Sequence, residues 1–291
     1  MHSAKRLFPF LAWPKPTPQL IKSEAFSGLS VGLMVIPQGV AYAALAGMPL
    51  ITGIYASLLP ALVAVLFSAS QRLSVGPTAL TAILVSASLS GMAAPGSAEW
   101  INLTVWLSLM TGLLQVVLGF ARFGWLLNLV SSPVLMAFTQ GAGVLIISSQ
   151  IPAMLGLTNG WSTLLTGAGI DWASMLFGLV TLVLLLLARR WRPTFPTVLV
   201  VVLGAAGGSW ALGLEASGTA VVGALPQGLP ALFVPSVIEW EMFKQLVLPT
   251  LVITLVSFLE TASSAKVDND RSGKRWDQDQ DLIGQGLAKV A

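Results

Sequence analysis

One carboxylate stands inside an apolar run, Glu260 in LVSFLETASSAK. An ionised, unpaired carboxyl group is costly inside a membrane helix, so such a group lines a pathway, pairs with a cation or carries a proton. A Glu held by a neighbouring helix is the structural alternative. Ser264 follows one turn later on the same helix face. A second pair, Gln38 and Tyr42 in VIPQGVAYAALAG, is spaced four apart and also shares a face. Either Gln38 bonds a neighbouring helix and Tyr42 packs, or both face a substrate cavity where Pro37 and Gly39 loosen the helix. The third pattern is the stretch 71–90, QRLSVGPTALTAILVSASLS, in which Gly76-Pro77 stops a regular helix from running through. From Pro77 to Ser90 only about 14 residues remain, or ~21 Å of helix, against a hydrocarbon core of ~30 Å. A helix that begins within the membrane presents free N–H groups and the positive end of its dipole. That arrangement suits an anion, and the chain is expected to move one across a membrane.

The elements that must position these residues are apolar helices. Hydrophobic residues make up 55% of the chain and charged residues only 9%, with a mean hydropathy of +0.82, far from a water-soluble domain. Eight hydrophobic segments are expected near 25–46, 51–69, 77–90, 100–121, 126–150, 172–188, 196–214 and 247–266, with a ninth starting near Leu282. Pro133 and nearby glycines predict a kink in the fifth. Gly28 and Gly32 form a G-x-x-x-G pattern that predicts close helix packing. Trp100, Trp125, Trp161, Trp172, Trp191, Trp210 and Trp240 fall near segment ends, as interfacial anchors do.

Basic residues orient the segments. With the N-terminus inside, Lys5, Arg6, Lys15, Lys22, Arg72, Arg122, Arg189, Arg190, Arg192, Lys266, Arg271, Lys274, Arg275 and Lys289 share one side, and only Lys244 of the 15 basic residues falls on the other. Such asymmetry marks the cytoplasmic face. Residues 1–23, broken by four prolines, read as a cytoplasmic tail and not as a cleaved leader. Residues 267–286, VDNDRSGKRWDQDQDLIGQG, read as a charged cytoplasmic loop, not a metal site. There is no cysteine, and the single histidine is His2. With no nucleophile–base pair, metal cluster or phosphate loop in view, an enzyme is disfavoured, and no cofactor or nucleic-acid partner is expected.

Two long stretches carry a resemblance. VIPQGVAYAALAGMPLITGIYASLLPALVAVLFSASQRLSVGPTAL, and SFLETASSAK followed by DQDQDLIGQGLAK, resemble the sulfate permease (SulP) family of anion transporters, over about residues 20–291. The resemblance implies an all-α polytopic membrane protein whose fold has two inverted seven-segment repeats, with the third helix broken. Segments one to four and eight to eleven would form a transport core, the rest a gate, and a cytoplasmic STAS domain would follow. Residues 24–291 would be part of that transport domain, a truncated product ending at Ala291 where segment nine begins. The implied anion site takes Gln38 and Tyr42 from segment one, Thr78 with the adjacent N–H groups at Ala79 from segment three, and Glu260 and Ser264 from segment eight. Lys289 departs from the pattern, standing where the family more often has Asn.

The resemblance implies secondary active transport of an inorganic anion. Sulfate is the first expectation, with bicarbonate or a dicarboxylate as alternatives. Glu260 would couple a proton, or else sodium, to anion entry. An uncoupled channel or exchanger, and a non-transporting fragment, are the competing readings. The expected setting is the bilayer of the inner (plasma) membrane, multi-pass, with a homodimer when full length. In this cysteine-free chain, Asn159→Cys and Ser217→Cys should each react with an impermeant thiol reagent added outside. Labelling from the cytoplasmic side alone would contradict the orientation.

Overall fold

The computed structural model describes residues 8–12, 15–70, 75–157, 171–191, 197–214, 216, 228, 233–272 and 276–291. Its helices are α1 (Pro18–Leu45), α2 (Leu50–Phe67), α3 (Ala79–Leu89), α4 (Ala98–Phe120), α5 (Ser132–Met154), α6 (Trp172–Trp191), α7 (Thr197–Ala211), α8 (Trp240–Ser272) and α9 (Gln278–Val290). They follow the eight expected segments and the start of the ninth. Five are long and apolar enough to cross a membrane: Pro18–Leu45, Leu50–Phe67, Ala98–Phe120, Pro133–Met154 and Trp240–Ala265. The outer faces carry Leu58, Leu62, Leu113, Val117, Leu251 and Leu255 exposed, as acyl chains would require.

Several expectations need correction. α1 starts at Pro18, seven residues before the expected segment and inside the stretch read as a tail. Proline suits a first helical position, where its missing N–H costs nothing. Pro133 likewise sits in the first turn of α5, after a 3-10 turn at Phe123–Leu129, so it starts that helix and does not kink it. The expected loop at 267–286 is largely helical, because α8 runs on to Ser272 and α9 begins at Gln278. Trp125, Trp172, Trp210 and Trp240 are exposed, but Trp100 is buried and donates its indole N–H to the Ala46 carbonyl at 2.9 Å. It packs at the Gly47 turn instead of anchoring at an interface. Arg72, Asn159, Trp161 and Ser217 lie outside the described residues.

The chain divides into two compact units. One comprises 1–16, 38–142 and 227–291; the other comprises 17–37 and 143–226. In the second, α6 and α7 face each other through Phe177, Val180, Leu184, Val200 and Ala205. The first unit holds the functional residues. Its core joins Leu89 of α3, Trp100, Leu103 and Leu107 of α4, and Leu246 and Ile253 of α8. A smaller cluster joins Leu135 of α5, Phe258 and Ala262 of α8, and Leu282 of α9.

Backbone-to-backbone approach sets the spacing within this unit. Gly39 of α1 meets Gly53 of α2, so closely that a Cβ on Gly39 would lie 2.6 Å from the Gly53 carbonyl oxygen. Gly286 of α9 meets Gly112 of α4 in the same way, again at 2.6 Å. Gly28 and Gly32, by contrast, have open space where a Cβ would go, so their motif does not mark a packed contact among the described residues. Any side chain at Gly286 must push rigid backbone away, and overpacking of this kind typically costs about 1–3 kcal/mol or more. Gly286→Val should therefore lower the melting temperature of the detergent-purified protein by several degrees, whereas Gly28→Val leaves it near the parent value. Equal melting of the two variants would contradict this packing.

Candidate functional site

α3 begins in the interior of the first unit because the segment before it is extended. Residues 75–78 are non-helical, Pro77 forbids continuation from upstream, and Thr78 caps the helix with φ −121° and ψ 152°. Eleven residues of helix follow, or roughly 17 Å, too short to span. The Thr78 hydroxyl accepts from the Thr81 N–H at 3.2 Å. Thr81 adds its own hydroxyl, 2.8 Å from that of Thr78 and donating to the Thr78 carbonyl at 3.1 Å. The N–H groups of Ala79 and Leu80 find no partner among the described residues. Both residues are buried, so two donors and the positive helix end are held away from solvent.

Glu260 of α8 meets this helix end. The Thr78 hydroxyl donates to Glu260 Oε2 at 3.2 Å, across 182 residues of sequence. A carboxylate beside a helix N-terminus is favourably placed. The same position favours any negative charge, so the ionised side chain occupies the end that a free anion would also be drawn to. Tyr42 of α1 is partly buried and within electrostatic range of Glu260. Gln38 and Ser264 are exposed, each one turn from a clustered residue, and neither side chain forms a hydrogen bond among the described residues. The structure thus brings Thr78, Ala79, Glu260 and Tyr42 together and leaves Gln38 and Ser264 at the edge.

α9 locks the surroundings. Asp277 caps it, accepting from the Gln280 N–H at 3.1 Å. Asp279 accepts from the Gly124 N–H at 2.8 Å. Asp281 accepts from the Ala69 and Ser70 N–H groups at 2.7 and 3.2 Å and from the Trp276 indole. Gln280 donates to the Phe67 carbonyl at 2.6 Å, so the end of α2 is held from two adjacent residues. These acidic residues bind backbone donors where a solvated loop was expected. One turn before Glu260, Ser257 accepts from the Lys289 ammonium of α9 at 2.8 Å. Lys289 therefore points into the unit, towards α8. Thr81 and Ser257 are not among the residues singled out from the sequence, and Lys289 stands out there only as a departure from the family pattern. A T-x-x-T spacing and a cation in an apolar stretch were the available signals.

The sulfate permease family matches residues 21–291 of the chain. A probable sulfate transporter of Mycobacterium tuberculosis is 31% identical over 281 residues, covering 93% of this chain and 50% of its own length. The chain thus spans about half the length of that curated relative. The murine solute carrier 26 family member A9 anion transporter, solved in an inward-facing state, superposes with a TM-score of 0.85 at 23% identity, covering 99% of this chain and 53% of its own. The transmembrane domain of a cyanobacterial bicarbonate transporter superposes with a TM-score of 0.80 at 19% identity, covering 95% and 73%. These likenesses establish the fold as that of a helical anion-transporter membrane domain.

Proposed function

The chain belongs to the sulfate permease family, and from that premise we propose that it serves proton-coupled secondary active transport of an inorganic anion, sulfate before bicarbonate. Sulfate is preferred because the Mycobacterium tuberculosis relative is a probable sulfate transporter, and bicarbonate follows from the cyanobacterial transporter. The setting is the inner (plasma) membrane with the N-terminus cytoplasmic, which rests on the distribution of basic residues. One observation carries the mechanism: the Thr78 hydroxyl joins the start of α3 to the carboxylate of Glu260 at 3.2 Å. The anion enters at the Ala79 and Leu80 N–H groups near Tyr42, with Gln38 and Ser264 at the rim. An ionised Glu260 repels it from that position and competes for the same dipole. A proton on Glu260 removes both obstacles. Proton and anion binding are then thermodynamically linked, as symport requires.

The protonated carboxyl is preferred to sodium because it can also donate a hydrogen bond to the anion or to Thr78. At one proton per anion and zero membrane potential, a gradient of about one pH unit supplies about 1.4 kcal/mol, or about tenfold accumulation. Glu260→Gln imitates the protonated form. Radiolabelled sulfate uptake into proteoliposomes under an imposed pH gradient should lose that accumulation in the Gln variant while downhill exchange persists. Equal gradient-driven accumulation by parent and variant would assign Glu260 a structural role, and accumulation by neither would favour an uncoupled pathway.

A further inference from the structure

Lys289 is a basic side chain in the apolar part of a membrane protein, and neither capping nor packing explains it. Its helix is held by other residues, Asp277, Asp279, Gln280 and Asp281 at the N-terminal end and Gly286 against Gly112 in the middle. The Lys289 carbonyl also accepts from the Ser108 hydroxyl of α4 at 2.9 Å, which fixes the backbone without using the ammonium. The side chain is partly buried, and its ammonium donates to Ser257 Oγ at 2.8 Å. Ser257 precedes Glu260 by three residues on α8, so the two side chains lie on one face, a turn apart. Lys289 and Glu260 are within electrostatic range of each other but make no direct ion pair among the described residues.

We propose that Lys289 is the built-in counter-charge of Glu260, held off the carboxylate by Ser257, and that it sets the net charge of the anion site. The proposal rests on the anion-transport reading of the same site. With Glu260 ionised, the pair is neutral and the end of α3 is occupied by the carboxylate. When Glu260 takes a proton, the Lys289 charge is left unbalanced and the site becomes +1. The proton thus does more than remove a repulsion: it creates an attractive site. Without Lys289 the same step would run only from −1 to neutral. A lysine is suited to this because its compact charge on a flexible stem can stay with Ser257 in both states. Ser257 also keeps the ammonium from closing onto the carboxylate as a permanent bridge, which would resist protonation.

Among the described residues, the other ionisable side chains around the pair do not supply this charge. Tyr42 of α1 is within electrostatic range of Glu260 and carries no positive charge in either protonation state. On α9 itself, Asp281 is two turns away and is engaged by Ala69, Ser70 and Trp276. On α4 the sole charged residue is Glu99, in the first turn, more than two turns before Ser108. On α2, the Tyr55 hydroxyl donates to the Gly228 carbonyl at 3.3 Å.

The test is a double-mutant cycle read in two ways on the purified protein at neutral pH. Equilibrium binding of radiolabelled sulfate should rank Glu260→Gln tightest, the parent and the Lys289→Met/Glu260→Gln double variant next, and Lys289→Met weakest. Each unit of charge is expected to change affinity on the order of tenfold. Lys289→Arg, which keeps the charge, should bind within a few-fold of the parent. The melting temperature without sulfate should fall in Lys289→Met and recover in the double variant. If Lys289→Met cannot be folded, recovery of a folded protein in the double variant is the same rescue. Additive effects on the melting temperature, or equal sulfate affinity of parent and Lys289→Met, overturn the proposal. Sulfate binding by no variant refutes the transport reading instead, and the melting cycle still decides the pair.

Discussion

The start of α3 is the constraint on which the rest depends. A helix that begins inside a membrane domain leaves donors that neither water nor a preceding turn can satisfy, and in an apolar medium each orphan costs several kcal/mol. Thr78 meets part of the need by capping Thr81, and its remaining hydroxyl proton goes to Glu260. Among the described residues the Ala79 and Leu80 donors find no partner, and both residues are buried. A fold that only needed stability would run the helix through. Stopping it at Gly76-Pro77 creates a place where negative charge is stabilised, and the chain already puts one of its own carboxylates beside it.

That arrangement demands rigid neighbours, because a displacement of an ångström breaks the contact between Thr78 and Glu260. Two kinds of interaction supply the rigidity. Glycine contacts, Gly39 with Gly53 and Gly112 with Gly286, bring backbones together and exclude alternative spacings. Polar contacts at the N-terminal end of α9 then fix it along its axis, with Gln280 and Asp281 reaching the end of α2 and Asp279 reaching Gly124. The first set determines distance and the second determines register. Between them, α9 has little freedom to slide, and its Lys289 is held where it meets Ser257 of α8.

How much of this is legible in the sequence depends on the range of the interaction. Segment positions and the break before α3 are local, written in hydropathy and in the backbone chemistry of Gly76-Pro77, and the helices fall close to where they are expected. Contacts between distant segments are not local. Periodicity says that Gln38 shares a face with Tyr42, but not that Tyr42 lies near Glu260 while Gln38 stays exposed. The G-x-x-x-G motif at Gly28 and Gly32 fails as a packing signal, since a small residue permits approach without supplying a partner. The contacts that form use single glycines on different helices. Trp100 reads as an interfacial anchor by position, yet the Ala46 carbonyl gives its indole a partner inside the fold. Lys289 reads as one more cytoplasmic charge, because sequence distance from the end of a segment does not report which way a side chain points.

The central claim is that the α3 N-terminus receives the anion. Selenate is a close isostere of sulfate with a strong anomalous signal, so crystals grown with selenate locate the bound anion without assumption. The account predicts an anomalous peak about 3 Å from the Ala79 and Leu80 nitrogens, next to the Thr78 hydroxyl and on the Glu260 side of the helix end. Selenate bound elsewhere in the first unit, with the α3 end still closed by Glu260, would contradict it.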